Sequence, residues 1–198
     1  DASSSDRSRA IAEARGARVH ARTFDDFATQ KNYAVSLARH EWVLSLDADE
    51  QVTPQLADEI LRLIGSADAS ASGAAAYRIR RRTYFLNRLL RFGGHQSDRP
   101  VRLFRRSAAR FEGRVHEEVR VKGSTRDLTA PLLHFTTASA REYFRKLNHY
   151  TDLEAAALQT GGSLFWKPAG RFAQKYLAQF GFLDGWAGFV YAVLSGYY

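Results

Sequence analysis

The chain has no cysteine. That excludes a disulfide framework, a thiolate metal centre and a cysteine nucleophile, and it fits a reducing compartment. Methionine is absent too, position 1 included, so a piece of a longer protein is expected. No glycine-rich phosphate loop, zinc-ligand spacing or Ser-His-Asp arrangement stands out. The opening residues, Asp1 to Asp6, show no signal-peptide pattern. The uncharged tail from Gly185 to Tyr198 is too short to span a bilayer.

What is present is ordinary globular material: 198 residues, 45% hydrophobic and 25% charged. That length gives one domain with a real core, or one domain plus an appendage. The net charge of +8 is unevenly placed. Arg78 to Arg114 holds twelve arginines against Asp98 and Glu112, an excess of ten. Such a patch attracts phosphates, whether of nucleic acid, anionic lipid or a sugar nucleotide. Arginine rather than lysine favours bidentate phosphate or carboxylate contacts. At the other extreme, Leu164 to Tyr198 carries eleven aromatics with one acid, Asp184, and three bases. That composition suits a helix lying in a membrane interface, or one packed on the domain.

The first third alternates helix and strand. Asp6 caps a helix over Arg7 to Arg15 that Gly16 closes, and Ala17 to His20 reads as a short strand. Phe27 to Arg39 has helical apolar spacing, and Trp42 to Leu46 is a continuous apolar strand. Thr53-Pro54 starts a helix that runs to Ile64 and ends at Gly65. This alternation predicts a parallel α/β sheet. Strands are then expected over Ala75 to Phe85, Val101 to Arg106, Phe111 to Val121 and Leu128 to Phe135, with a turn at Gly93-Gly94. Helices are expected over Ser139 to Gln159, Lys167 to Phe180 and Leu183 to Leu194.

The strand at Trp42 runs into three acids, Asp47, Asp49 and Glu50. Strand ends are where α/β proteins bind ligands. Carboxylates there can hold a hard cation such as Mg2+ or Mn2+ against a diphosphate. Gln30-Lys31-Asn32 opens the helix before that strand, so Lys31 would offer a point charge to phosphate, aided by the helix dipole. His116-Glu117 pairs an imidazole with a carboxylate that could serve as a general base. Asp98 beside Arg99 is a second candidate base, with a plain salt bridge as its default role. His134, on an apolar strand, reads as a core residue that could also donate to the same metal.

In order along the chain these pieces resemble glycosyltransferase family 2, and within it the lipopolysaccharide core β-1,4-glucosyltransferases. The resemblance rests on Asp1 to Asp6, Gln30 to Ala34, Trp42 to Glu50, Arg99 to Arg106, Val115-His116-Glu117 and Leu133-His134-Phe135. Tyr143 to Tyr150 and Phe172 to Gly188 complete it. It implies a GT-A fold, an α/β Rossmann-like nucleotide-diphosphosugar domain. The sheet would lack its first strand ahead of Asp1 and carry a C-terminal helical extension. Residues 1–136 would form the transferase domain, with donor contacts in 1–65 and acceptor contacts in 75–136. Residues 137–198 would form a helical, membrane-associating region. By the same resemblance Asp1, Lys31, Asn32, Asp47 and Arg102 would face the nucleotide sugar, and Asp49 and His134 would hold Mg2+ or Mn2+. Glu117, then Asp98, would be the catalytic base.

The expected reaction is inverting transfer of a hexose from UDP-glucose to a lipid-linked oligosaccharide such as the lipopolysaccharide inner core. It would occur at the cytoplasmic face of a bacterial inner membrane. The alternatives are a basic nucleic-acid-binding module or a catalytically inactive transferase fragment. Nucleic acid is not the expected partner, because the acids at Asp47 to Glu50 repel phosphate unless a metal intervenes.

Overall fold

The computed structural model describes residues 1, 4–65, 73–113, 117–137, 139, 141, 143–145, 148 and 166–196. Helix α1 is Ser8–Ala14. The Asp6 carboxylate accepts from the Ser8 N–H at 2.9 Å, and Gly16, at φ +80°, turns the chain away. Residues 17–20 form no strand. Helix α2 is Phe27–Ser36, capped by Asp26, which accepts from the Thr29 N–H at 2.8 Å. Strand β1 is Trp42–Leu44, and β2 is Glu50–Val52. Between them the chain closes a tight turn, with the Glu50 N–H donating to the Asp47 carbonyl at 3.0 Å. Thr53 caps helix α3, Pro54–Gly65, through its hydroxyl and the Leu56 N–H.

The run expected as one strand over Ala75 to Phe85 is two. β3 is Ala74–Arg78 and β4 is Arg81–Phe85, and they belong to different sheets. β5, Arg88–Leu90, folds back from β4 through Leu86 and Asn87, at φ 47° and 60°. Two left-handed residues are what a tight hairpin turn of type I′ requires. β6 is Val101–Arg105, β7 is Ala109–Glu112, β8 is Glu118–Val121, β9 is Ser124–Asp127 and β10 is Leu132–Thr137.

One sheet has the order β1-β6-β3-β9 and a second β2-β10-β4-β5, with β7 and β8 a separate hairpin. Both four-stranded sheets are mixed: β3–β9 and β4–β10 are parallel, the other pairs antiparallel. The parallel sheet expected within the first third is therefore not found among the described residues. β1 and β2 each take an antiparallel partner from later in the chain, because the acidic turn between them sends them into different sheets. Leu56 and Ile60, one turn apart on α3, pack against Tyr77, Ile79, Leu103 and Leu132. Burying each such side chain contributes on the order of 1.5–3 kcal/mol, which fixes both ends of the acidic turn.

The C-terminal helices are α4, Trp166–Ala173, and α5, Gly185–Ser195. A π-helical turn, Gln174–Ala178, and a 3-10 turn, Gly181–Asp184, connect them. Gly188 allows a very close approach, since a Cβ there would collide with the Gly181 carbonyl oxygen. The Asp184 carboxylate ties this hairpin to the end of β5 by accepting from the Arg91 and Phe92 N–H groups, the latter at 2.8 Å. Most of the helix expected over Ser139 to Gln159 lies outside the described residues. Among the described residues no single helix is long and apolar enough to cross a membrane. Pro168–Ala178 and Gly181–Ser195 reach that length only together, across a 74° bend.

Candidate active site

Seven charged side chains meet where the acidic turn faces α2, β4 and β6. Glu50 sits at the centre with its side chain wholly buried. A buried carboxylate is costly unless paired and hydrogen-bonded. Arg102 satisfies Glu50 from Nε at 3.2 Å and Nη2 at 2.6 Å, and Arg81 approaches it at 3.4 Å. The Asp47 N–H donates to the remaining Glu50 oxygen at 3.0 Å. Arg102, itself 7% exposed, also holds Asp47 Oδ2. Asp47 Oδ1 accepts from Lys31 Nζ at 2.7 Å, and the same ammonium donates to Glu117 Oε1 at 2.6 Å. On the far side Arg81 grips Asp98 in a two-point contact at 2.8 and 3.0 Å.

Lys31, Asp47, Arg102, Glu117 and Asp98 were all singled out in the sequence, and one network joins them. Four carboxylates face three cations in it. Burial pushes the Asp47 carboxyl up, but Arg102 and Lys31 outweigh it and hold the group below its usual range. Burial likewise pushes the Lys31 ammonium down, and the Asp47 and Glu117 carboxylates overturn that and raise it. Asp47 and Lys31 therefore stay charged at neutral pH in a partly desolvated setting, where each charge counts for more than in water.

Lys31 lies in the second turn of α2, not at its opening, so the helix dipole adds little to its charge. What aims it is packing. The neighbouring Asn32 amide bonds both ways with the Phe111 backbone, donating and accepting at 2.9 Å, which clamps α2 to β7. The Phe111 ring lies 5.4 Å from the ammonium. In this structure Asn32 and Arg102 are engaged with protein groups and set the positions of Lys31 and Asp47.

Asp1 accepts from Ser4, at 2.8 Å from its N–H and 2.7 Å from its hydroxyl. With Lys31, Arg18, His20 and Tyr33 it borders a cavity of about 390 Å³ beside the network. Asp49 is turned away from Lys31 toward His134, whose Nε2 is 3.6 Å from Asp49 Oδ1. The pairing of β2 with β10 places the two together: the Phe135 N–H donates to the Asp49 carbonyl at 2.8 Å. Among the described residues no group of three or more His, Cys, Asp or Glu forms a metal cage. A Mg2+ or Mn2+ ion needs only one or two protein ligands when a diphosphate supplies others, and Asp49 has that chemistry. His134 fits less well, because its Nδ1 is buried without the hydrogen bond that orients most metal-bound imidazoles.

Glu50 and Arg81 are the residues the sequence undervalued. Glu50 reads as the last solvated acid of a turn, and Arg81 as one arginine in a run. The available signal was register: Glu50 alternates with Gln51 on a strand, and Arg81 alternates with Arg82 and falls on the face of Thr83 and Phe85.

Mixed sheets carrying a strand-end acid turn, with helices packed beside them, make this an α/β domain, and the family its sequence matches carries the GT-A fold. The glycosyl transferase family 2 description matches residues 1–150, and the chain belongs to that family. It is 26% identical over 185 residues to a lipopolysaccharide core biosynthesis glycosyltransferase, LpsC, of Rhizobium meliloti, covering 85% of this chain and 67% of that one. It is 25% identical over 218 residues to an uncharacterized glycosyltransferase of Rickettsia felis, covering 100% of this chain and 75% of the relative. With another, from Rickettsia conorii, identity is 27% over 172 residues, 82% of this chain and 60% of the relative. The chain thus spans about two thirds of the length of these relatives.

Proposed function

We propose that the protein binds a nucleotide-diphosphate sugar beside Lys31 and transfers its hexose, with inversion, to a saccharide carried on a lipid. The observation that carries this reading is the Lys31 ammonium held between Asp47 and Glu117 at the rim of the cavity that Asp1 borders. Lys31 would offset diphosphate charge. The Glu117 carboxylate would take the proton of the attacking acceptor hydroxyl as the new glycosidic bond forms. The bond from the anomeric carbon to the diphosphate breaks, and the nucleoside diphosphate leaves with its electron pair. Asp98 is the weaker candidate base, because both its oxygens are held by Arg81. Asp49, with His134 beside it, would hold Mg2+ or Mn2+. When bound, the ion supplies neutralisation of the leaving diphosphate.

UDP-glucose is the donor we assign. The name of the Rhizobium relative supports an acceptor of the lipopolysaccharide inner-core kind. Residues 1–65 would serve the donor and 75–136 the acceptor. The helical region 137–198 would rest on the cytoplasmic face of the inner membrane, a reading supported by the exposed Phe182, Leu183 and Trp186. Glu117→Gln in the full protein tests the chemistry. UDP affinity should persist while transfer from UDP-glucose falls by about a hundred- to ten-thousand-fold. Turnover close to wild type would move the base elsewhere, to Asp98 first.

A further inference from the structure

A second cavity, of about 370 Å³, opens on the other side of Arg81. Arg80, Arg81, Arg82 and Arg91 line it, together with His95 and Gln96. Arg81 is committed to Asp98 and Glu50, but Arg80, Arg82 and Arg91 have no carboxylate partner among the described residues. Three exposed guanidinium groups around one concave site are a strong attractor for a polyanion. His95 Nε2 is buried there without a hydrogen-bond partner. Burial, and then the nearby Lys175, push its pKa down to about 4, so the ring is neutral at physiological pH. It can exchange a hydrogen bond with a ligand without adding charge.

The cavity adjoins the C-terminal hairpin. The His95 ring lies 4.7 Å from that of Tyr191 on α5, the Gly93 N–H donates to the Gln179 carbonyl at 2.8 Å, and Asp184 holds the backbone of Arg91. The hairpin leaves Leu177, Phe180, Phe182, Leu183, Trp186 and Phe189 between 45% and 59% exposed. Arg88, on the strand that also supplies Leu89 and Leu90 to the cavity, lies 5.8 Å over the Trp186 ring. An apolar face beside an anion cavity matches an amphiphile with a charged head. Because Arg81 belongs both to this cavity and to the network around Glu50 and Asp98, a ligand here sits next to the transfer chemistry rather than at a remote anchor.

We infer that this arginine cavity binds a phosphate monoester on the lipid-borne acceptor, while the aromatic hairpin contacts the lipid that carries it. The inference rests on the transferase reading and names its acceptor class. Decyl phosphate is the probe, with decyl maltoside as the neutral amphiphile, inorganic phosphate as the lipid-free anion, and phosphatidylglycerol vesicles as a bulk phosphodiester surface. The full protein should bind decyl phosphate at least about tenfold more tightly than either decyl maltoside or inorganic phosphate. The double variant Arg80→Ala/Arg82→Ala, altered at two exposed positions, should lose that preference while its UDP affinity is unchanged. Equal binding of decyl phosphate and decyl maltoside, or an unaltered double variant, overturns the inference. Equally tight binding of phosphatidylglycerol vesicles, equally lost in the variant, makes the cavity a general headgroup site and overturns it too. Absence of UDP binding in wild type, with decyl phosphate recognition intact, would instead remove the donor reading and leave the anion cavity standing.

Discussion

At the scale of single residues, the central feature is an ammonium shared by two carboxylates. Lys31, Asp47 and Glu117 are far apart in sequence, and their residue types in order along the chain were enough to single them out. Their supports were not legible. Nothing in a Glu that follows Asp-Ala-Asp announces a wholly buried side chain, because burial is decided by the Arg102 and Arg81 partners that β6 and β4 bring in. His95 gives a residue-scale prediction. Its folded pKa is about 4, held down by burial and then by Lys175, against an unfolded value near 6.5. The neutral ring contributes fully above pH 6.5. As pH falls toward 4 the unfolded chain gains a proton that the folded one refuses, so stability declines by up to roughly 3 kcal/mol. His95→Phe, which keeps a ring against Tyr191, should flatten the melting temperature between pH 7 and 4. An unchanged slope would place the titration on another group.

At the scale of elements, legibility followed the strength of local signals. Helix α2 was readable from its apolar spacing after Phe27, and α3 because Thr53 supplies a cap and Pro54 a first turn. Strand β9 was not, since Ser124 to Asp127 is polar and largely exposed at the edge of its sheet. The run from Ala75 to Phe85 read as one strand because residue alternation cannot reveal a change of sheet. Backbone bonds reveal it: the Ile79 N–H donates to the Pro100 carbonyl and the Arg81 N–H to the Asp98 carbonyl, both at 3.0 Å, as the chain leaves one sheet for the other. The C-terminal hairpin depends on glycine contact, which gives paired predictions. Gly188→Ala forces a methyl into the Gly181 carbonyl and should lower the melting temperature by roughly 2–12 °C. Gly170→Ala, in a helix with open space around it, should be neutral or stabilising by up to about 1 kcal/mol. Equal effects of the two would show that close packing does not hold α5 in place.

At the scale of the whole molecule, the arginine-rich stretch holds two groups with different surroundings. Arg81 and Arg102 point inward and neutralise Glu50, Asp47 and Asp98, and so shape the network around Lys31. Arg80, Arg82 and Arg91 point into a cavity beside an exposed aromatic hairpin. A net charge of +8 could not distinguish the two, because formal charge carries no information on pairing. In the proposed reading these two groups mark a donor side and a lipid side, joined through Arg81. The donor side is the central claim, and calorimetric titration of UDP in the presence of Mn2+ tests it most directly. Wild-type protein should bind, and Lys31→Ala should bind at least about tenfold more weakly, having lost the one cation that faces the cavity from between Asp47 and Glu117. Absence of UDP binding by wild type, or equal affinity in Lys31→Ala, would contradict the account.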